Sequence, residues 1–157
     1  MAYDNTLANP TTGTTISTTG WGNKVVGNIQ ALAYRSVVVE VFGPTTDVST
    51  GDGKKYIHIP SPLNSCNLVE VHALVITAGT TGTTDIQIHN LTDTADMLST
   101  KLTIDSGETG SDTAAAAAVI DTAHDDIVTN DVIRIDVDAK STTAPKGLYV
   151  TLVFAPA

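Results

Sequence analysis

The chain has 157 residues, with 8 Lys or Arg against 17 Asp or Glu and a formal net charge of -9 at pH 7. This length fits one domain plus an extension, and the core can be large enough to fold without disulfides or metal. The scarcity of basic residues excludes direct nucleic-acid binding, because phosphate recognition needs a cationic surface. No apolar run approaches the about 20 residues of a membrane span, and no secretory signal is visible, so we expect a soluble protein without membrane contact.

Residues 1–34 differ in composition from the rest and predict an N-terminal arm. Asn, Thr, Gly and Pro dominate residues 3–19, which cannot build a core of their own. A helical spacing follows in residues 21–32 and predicts a short amphipathic helix. Its glycines weaken the helix by about 1 kcal/mol each, so we expect its apolar stripe to dock on a partner, with the tryptophan as anchor. The predicted partner-binding residues are Ile16, Trp21, Val25, Ile29 and Leu32.

Residues 35–157 predict one β-sandwich domain. Charged and apolar side chains alternate with period two, and Gly, Pro, Asn and Asp punctuate the chain every ten to fifteen residues or so. This pattern predicts an all-β, antiparallel, jelly-roll-like sandwich of about eight strands. An alanine run in 113–120 prefers helix by propensity, but its flanking turns favour a strand. The predicted strands are 36–42, 54–59, 67–77, 84–90, 98–104, 113–120, 131–138 and 147–154.

The same alternation predicts which side chains are buried. Arg134 and Asp136 are expected to face outward. Cys66 is the single cysteine and cannot pair within the chain. It is expected to be a small buried hydrophobe and not a reactive thiol. The predicted core residues are Val37 or Val38, Val71, Leu74, Ile86, Ile88, Leu102, Ile133, Ile135, Leu148, Val150 and Leu152.

Catalytic and metal-binding patterns are weak in this sequence. His72 and His89 could meet if their strands paired across the turn at 79–82, although a His pair without a third ligand usually lies at a polar surface. The acidic loops at 105–112 and 124–131 offer oxygen ligands that suit Ca²⁺, yet neither matches a known calcium loop. No nucleophile or phosphate-loop motif is present. We therefore expect neither an enzyme nor a bound cofactor or structural metal.

Several segments carry a family resemblance. Residues 97–112, 118–122, Asp131-Val-Ile-Arg-Ile-Asp-Val-Asp138 and Lys146-Gly-Leu-Tyr-Val-Thr-Leu-Val-Phe154 resemble β-sandwich virion proteins of tailed bacteriophages. Residues 15–26 look like the N-terminal segments of many phage particle-surface proteins. The resemblance implies a structural protein on the virion surface, assembled in the host cytoplasm, of the head-decoration or auxiliary capsid type.

The partners follow from the same resemblance. A decoration subunit would dock on the major capsid protein or other virion subunits through its arm, as a homotrimer on local threefold axes. The alternative is a small tail-associated fibre or receptor-binding module that recognises a host surface glycan. This sequence has no coiled-coil stalk or repeat array, which favours the compact capsid-bound subunit.

Overall fold

The computed structural model of this chain describes residues 34–157, together with two short paired strands nearer the N-terminus. There, β1 (Leu7–Ala8) pairs antiparallel with β2 (Thr15–Ile16). The chain divides into two units, Met1–Tyr34 and Arg35–Ala157. The predicted helix over residues 21–32 lies outside the described residues. The second unit holds the sandwich.

The second unit is all-β, as predicted. A single 3-10 turn, Ser61–Leu63, interrupts the described strands. Within this part of the chain, no helix is both long and apolar enough to cross a membrane. The strands are β3 (Arg35–Asp47), β4 (Gly51–His58), β5 (Cys66–Thr77), β6 (Thr84–Asn90), β7 (Ala95–Asp96), β8 (Leu98–Thr100), β9 (Leu102–Ile104), β10 (Val119–Ile120), β11 (Asp126–Ile127), β12 (Val132–Ala139) and β13 (Lys146–Pro156).

The strands form two main antiparallel sheets. The four-stranded sheet has the order β3–β13–β5–β11. The five-stranded sheet has the order β4–β12–β6–β7, and β9 also pairs with β6. Successive strands from β3 to β6 therefore alternate between the sheets, and their inward side chains join one hydrophobic core. Two stacked sheets with one core between them form the predicted β-sandwich.

Most of the predicted core is confirmed. The alternating apolar positions of β12 and β13 are fully buried, and each such side chain stabilises the fold by about 1.5–3 kcal/mol. Val37 and Val71 are partly buried and pack against this core. The predicted residues found buried are Cys66, Ile86, Ile88, Leu102, Ile133, Ile135, Leu148, Val150 and Leu152.

The prediction for Leu74 is wrong, because Leu74 is three residues from the inward-facing Val71 and therefore lies on the opposite side of β5. Strand β5 also contains a bulge before Val71. On β13, Val153 pairs with Glu70, but its neighbour Phe154 pairs with Leu68, so Val69 is an extra residue in β5. A bulge of this kind reverses the alternation of inward and outward side chains. Beyond it, Leu74 faces outward.

Asp136 lies on the outer side of β12, as predicted, but it is buried, with only 3% of its surface exposed. The backbone N–H of Gly53 donates to its Oδ1 at 2.7 Å. Arg134 donates to its Oδ2 at 2.7 Å through Nη2 and 3.0 Å through Nε. These contacts cover the carboxylate and supply it with charged and neutral donors, which burial of a charge requires.

The predicted strand 113–120 is wrong over most of its length, since only Val119–Ile120 is strand and it pairs with β8. The turns before it hold the backbone differently. Ala115 N donates to Asp105 Oδ2, and the Thr113 hydroxyl donates to Glu108. Such side-chain bonds compete with a strand ladder, and alanine has little strand propensity to oppose them.

Two further strand assignments change. The predicted strand 98–104 is divided into β8 and β9, which pair with different partners, β10 and β6. The second edge strand of the four-stranded sheet is β11, which lies in the acidic loop 124–131, where no strand was predicted. The connection at 79–82 leads from one sheet to the other and is not a hairpin, so His72 and His89 belong to different sheets and do not pair.

Candidate partner-binding face

The outer face of the four-stranded sheet carries a contiguous set of apolar side chains. Thr151 of β13 lies between Val38 of β3 and His72 of β5, and in the next row Tyr149 lies between Glu40 and Leu74. Ile76 continues the face along β5, and it lines the same groove as the other apolar members. We call Val38, Leu74, Ile76 and Tyr149 the apolar face.

The aliphatic members of this face are strongly exposed to solvent. Val38 is 65% exposed, Ile76 52% and Leu74 48%. Isolated exposed aliphatics are ordinary on a protein surface. A contiguous group rimmed by polar residues is different, because such patches mark binding sites. The apolar face is therefore the candidate functional site.

Residues 109–111 pair with the edge of β5 beside the apolar face. Val75 N donates to Thr109 O at 2.8 Å, and Ser111 N donates to Ala73 O at 3.0 Å. Gly110 forms a bridge with Leu74 between these two bonds. The segment thus continues the sheet beyond β5 and holds Asp112 at the border of the apolar face.

Carboxylates lie on two sides of the apolar face. Asp112 lies 2.8 Å from His72 Nδ1, and Glu70 lies 3.5 Å from His72 Nε2. The hydrogen bond with Asp112, with a smaller contribution from Glu70, raises the pKa of His72 against the opposing effect of partial burial. On the other side, the Tyr149 hydroxyl donates to Glu40 at 2.8 Å, which raises the pKa of Tyr149. We call Glu40, Glu70 and Asp112 the acidic rim.

The outer face of the five-stranded sheet has the opposite character, with charged groups that bond one another. His89 Nδ1 lies 2.7 Å from Asp96, and Lys101 Nζ lies 2.7 Å from Asp138. Between them, Arg134 is held by the buried carboxylate of Asp136 at 2.7 Å. We call this surface the charged face. Its ion pairs suit contact with water.

The partner-binding residues predicted in the arm remain predictions. Ile16 belongs to β2, whereas Trp21, Val25, Ile29 and Leu32 lie outside the described residues. The apolar face was not predicted, although the sequence carried a signal for it. Apolar residues occupy successive positions in Val37–Val39 and Leu74–Ile76. A strand that is apolar on both sides is typical of one covered on both faces.

The acidic loops are engaged in local structure. Asp105 and Glu108 accept bonds from Ala115 N and the Thr113 hydroxyl. Asp131 accepts from Val128 N and from the buried amide of Asn90. Among the described residues, no three His, Cys, Asp or Glu side chains are grouped as a metal site would require.

Comparison of the chain with protein-family models, curated proteins and solved structures gives no match in any of the three.

Proposed function

We propose that this protein is a structural subunit of a tailed-phage virion, a head-decoration or cementing protein that attaches to the major capsid protein or other virion subunits. The observation that carries the proposal is the apolar face. A sheet that presents Val38, Leu74 and Ile76 to solvent fits a subunit that becomes covered on assembly. The role is structural and not catalytic.

The strand order supports a jelly-roll assignment for the sandwich. Counting β3, β4, β5, β6, β9, β11, β12 and β13 in sequence, the first, eighth, third and sixth form one sheet and the second, seventh, fourth and fifth form the other. This is the arrangement of a chain folded as two Greek keys, and such domains recur in viral capsids and in lectins. A fold does not fix a function, so the proposal depends on the surface.

The arm adds a second attachment in this proposal. A polar segment that orders when it binds covers a large area at modest affinity per contact, which suits cementing of a lattice. The predicted stripe of Trp21, Val25, Ile29 and Leu32 would make the contact, with Ile16 beside it. A homotrimer would place three arms around each local threefold axis.

Particle location and copy number test the proposed function. Antibody labelling of phage particles in the electron microscope should mark heads, and quantitative gels should give hundreds of copies per particle. Labelling of tail tips with few copies per particle would reject the decoration role and favour the tail module. Absence of the protein from purified particles would reject a virion function altogether.

Deletion of residues 1–34 tests the arm separately. We expect the remaining sandwich to stay folded, by circular dichroism, and to lose attachment to heads. Trp21→Ala should weaken attachment without unfolding the domain, and Trp21→Phe should retain more of it, because a large aromatic anchor contributes about 2 kcal/mol or more. Undiminished attachment of the truncated protein would show that the arm is not the anchor.

One observation favours the alternative, a module for a host glycan. Tyr56 is 57% exposed on the charged face, directly opposite Arg134 on the neighbouring strand, and sugars stack on exposed aromatic rings beside hydrogen-bonding groups. Binding to a glycan array that is lost in Tyr56→Ala would support this reading. Retained glycan binding by that variant would exclude Tyr56 as the sugar platform.

A further inference from the structure

The apolar face and its acidic rim together indicate the chemistry of a partner. The centre consists of aliphatic side chains and the ring of Tyr149, and a partner must offer apolar side chains to cover them. The rim consists of carboxylates on both sides of that centre, Glu40 on β3 and Glu70 with Asp112 at β5. An apolar partner surrounded by acidic groups would be repelled there.

The distribution of charge along the chain indicates what kind of molecule binds the apolar face. Residues 1–33 carry one acidic side chain, Asp4, and one basic side chain, Lys24, so the net charge of -9 belongs to residues 34–157. A second sandwich laid face to face would place one acidic rim against another. The arm of a second copy would bring almost no positive charge. Both are poorer complements than a basic partner.

We infer that the apolar face of the four-stranded sheet binds a protein segment that presents apolar side chains flanked by Lys or Arg. The aliphatic centre supplies the area removed from water, and the acidic rim orients the segment and selects its charge. This inference extends the proposed function but does not depend on it, because the partner is defined by chemistry and not by its place in a virion.

Two synthetic peptides test the inference with the full-length protein. Both are amphipathic helices of about 18 residues, or five turns, with the same leucines; one has lysines and the other glutamates on its polar side. We expect the Leu/Lys peptide to bind and to shift NMR signals of β3, β5 and β13, and the Leu/Glu peptide to bind at least about tenfold more weakly. Equal binding of both peptides, or shifts confined to the charged face, would overturn the inference.

Two pairs of substitutions distinguish peptide binding at the aliphatic centre of the apolar face from nonspecific binding to exposed aliphatic side chains. Leu74→Ser with Ile76→Ser should weaken Leu/Lys peptide binding about tenfold or more. The matched control is Leu91→Ser with Val128→Ser, which removes two exposed aliphatics elsewhere and should leave binding unchanged. If both pairs of substitutions weaken binding equally, the apolar face is not the site and the inference fails.

The acidic rim is tested in the same way. Glu40→Gln with Asp112→Asn should weaken peptide binding more than Asp52→Asn with Asp126→Asn, although both pairs remove two negative charges. Equal losses would mean that only the overall charge matters, which contradicts a selective rim.

Sedimentation and one arm variant test the competing occupants. Self-association that disappears in Leu74→Ser with Ile76→Ser would assign the face to a second copy. Shifts of the β3 and β5 signals in Trp21→Ser without peptide would assign it to the arm. Either result would overturn the inference, and neither depends on whether the protein is found in particles.

Discussion

The two outer faces of the sandwich are built on the same kind of antiparallel sheet and differ in what they present. On β12, Arg134 and Asp136 alternate with buried isoleucines and bond each other. On β5 and β13, the corresponding outward positions carry Leu74, Ile76 and Tyr149. The charged face pairs its ionic groups with one another, whereas the apolar face leaves aliphatic area in water.

This difference separates stability from binding. The opposite charges of the charged face pair with one another, and Asp136 links Arg134 to β4 by accepting a bond from Gly53 N. The apolar face contributes little to the fold by itself, because its side chains stay exposed. Substitutions at the buried Arg134–Asp136 pair of the charged face should therefore change unfolding, and substitutions on the apolar face should change association.

The largest effect is expected for Asp136→Ala. Its removal leaves the largely covered Arg134 guanidinium without its main partner and Gly53 N without an acceptor. The free energy of unfolding, measured by urea denaturation, should fall by about 3 kcal/mol, since breaking a buried ion pair strands the remaining charge. Asp112→Ala, which breaks an exposed pair at the apolar face, is the control and should stay within about 1 kcal/mol. Similar losses in both variants would contradict the distinction between the faces.

Gly147→Ala should follow, with a loss of about 2 kcal/mol by the same measurement. Gly147 has φ of 65°, and an added Cβ would lie 2.9 Å from a side-chain carbon of Ile76 and 2.9 Å from Cα of Pro44. Gly107→Ala is the matched control, because Gly107 has φ of 84° but nothing within 4 Å of an added Cβ. The control isolates the backbone strain, at about 1 kcal/mol. A loss at Gly147 no larger than that at Gly107 would show that Ile76 and Pro44 move at little cost to make room for the added Cβ.

Lys101→Ala should change the unfolding free energy by no more than about 0.5 kcal/mol. The Lys101–Asp138 pair is short, at 2.7 Å, but the lysine side chain remains 47% exposed, so water screens the attraction. Thermal melting at low and high salt is the measurement. A larger loss that disappears at high salt would mean that the charged face acts as a coupled network.

The smallest effect on stability is expected from protonation of His72, and this effect depends on pH. The hydrogen bond with Asp112 raises the pKa of His72 above its ordinary value of 6.5. Because the pKa is higher in the folded than in the unfolded state, the stabilisation is fully present below pH 6.5 and is lost as pH rises through the folded pKa. NMR titration of the ring should show the raised pKa, and Asp112→Asn should lower it. A titration at or below 6.5 in the unsubstituted protein would contradict this geometry.

The sequence by itself determined the fold class and most of the core. Period-two alternation in Val132–Ala139 predicted both the strand and its buried isoleucines, because side chains of a strand alternate whatever its partners are. Strand β6 was predicted with its observed bounds, Thr84–Asn90. The successive apolar residues at Leu74–Ile76 are typical of a strand covered on both sides, but the apolar face was not predicted from them.

Only the tertiary structure decided which strands share a sheet and which polar groups are buried. Strands β12 and β13 follow each other along the chain, yet they lie in opposite sheets, because pairing is set by contacts between distant segments and not by local alternation. The bulge at Val69 is a feature of register with β13, so the change of side between Leu68 and Val71 could not be predicted from alternation in β5 alone. Asp136 is buried where Gly53 of β4, 83 residues earlier in the chain, donates to it, and burial by a distant strand leaves no local pattern in the sequence.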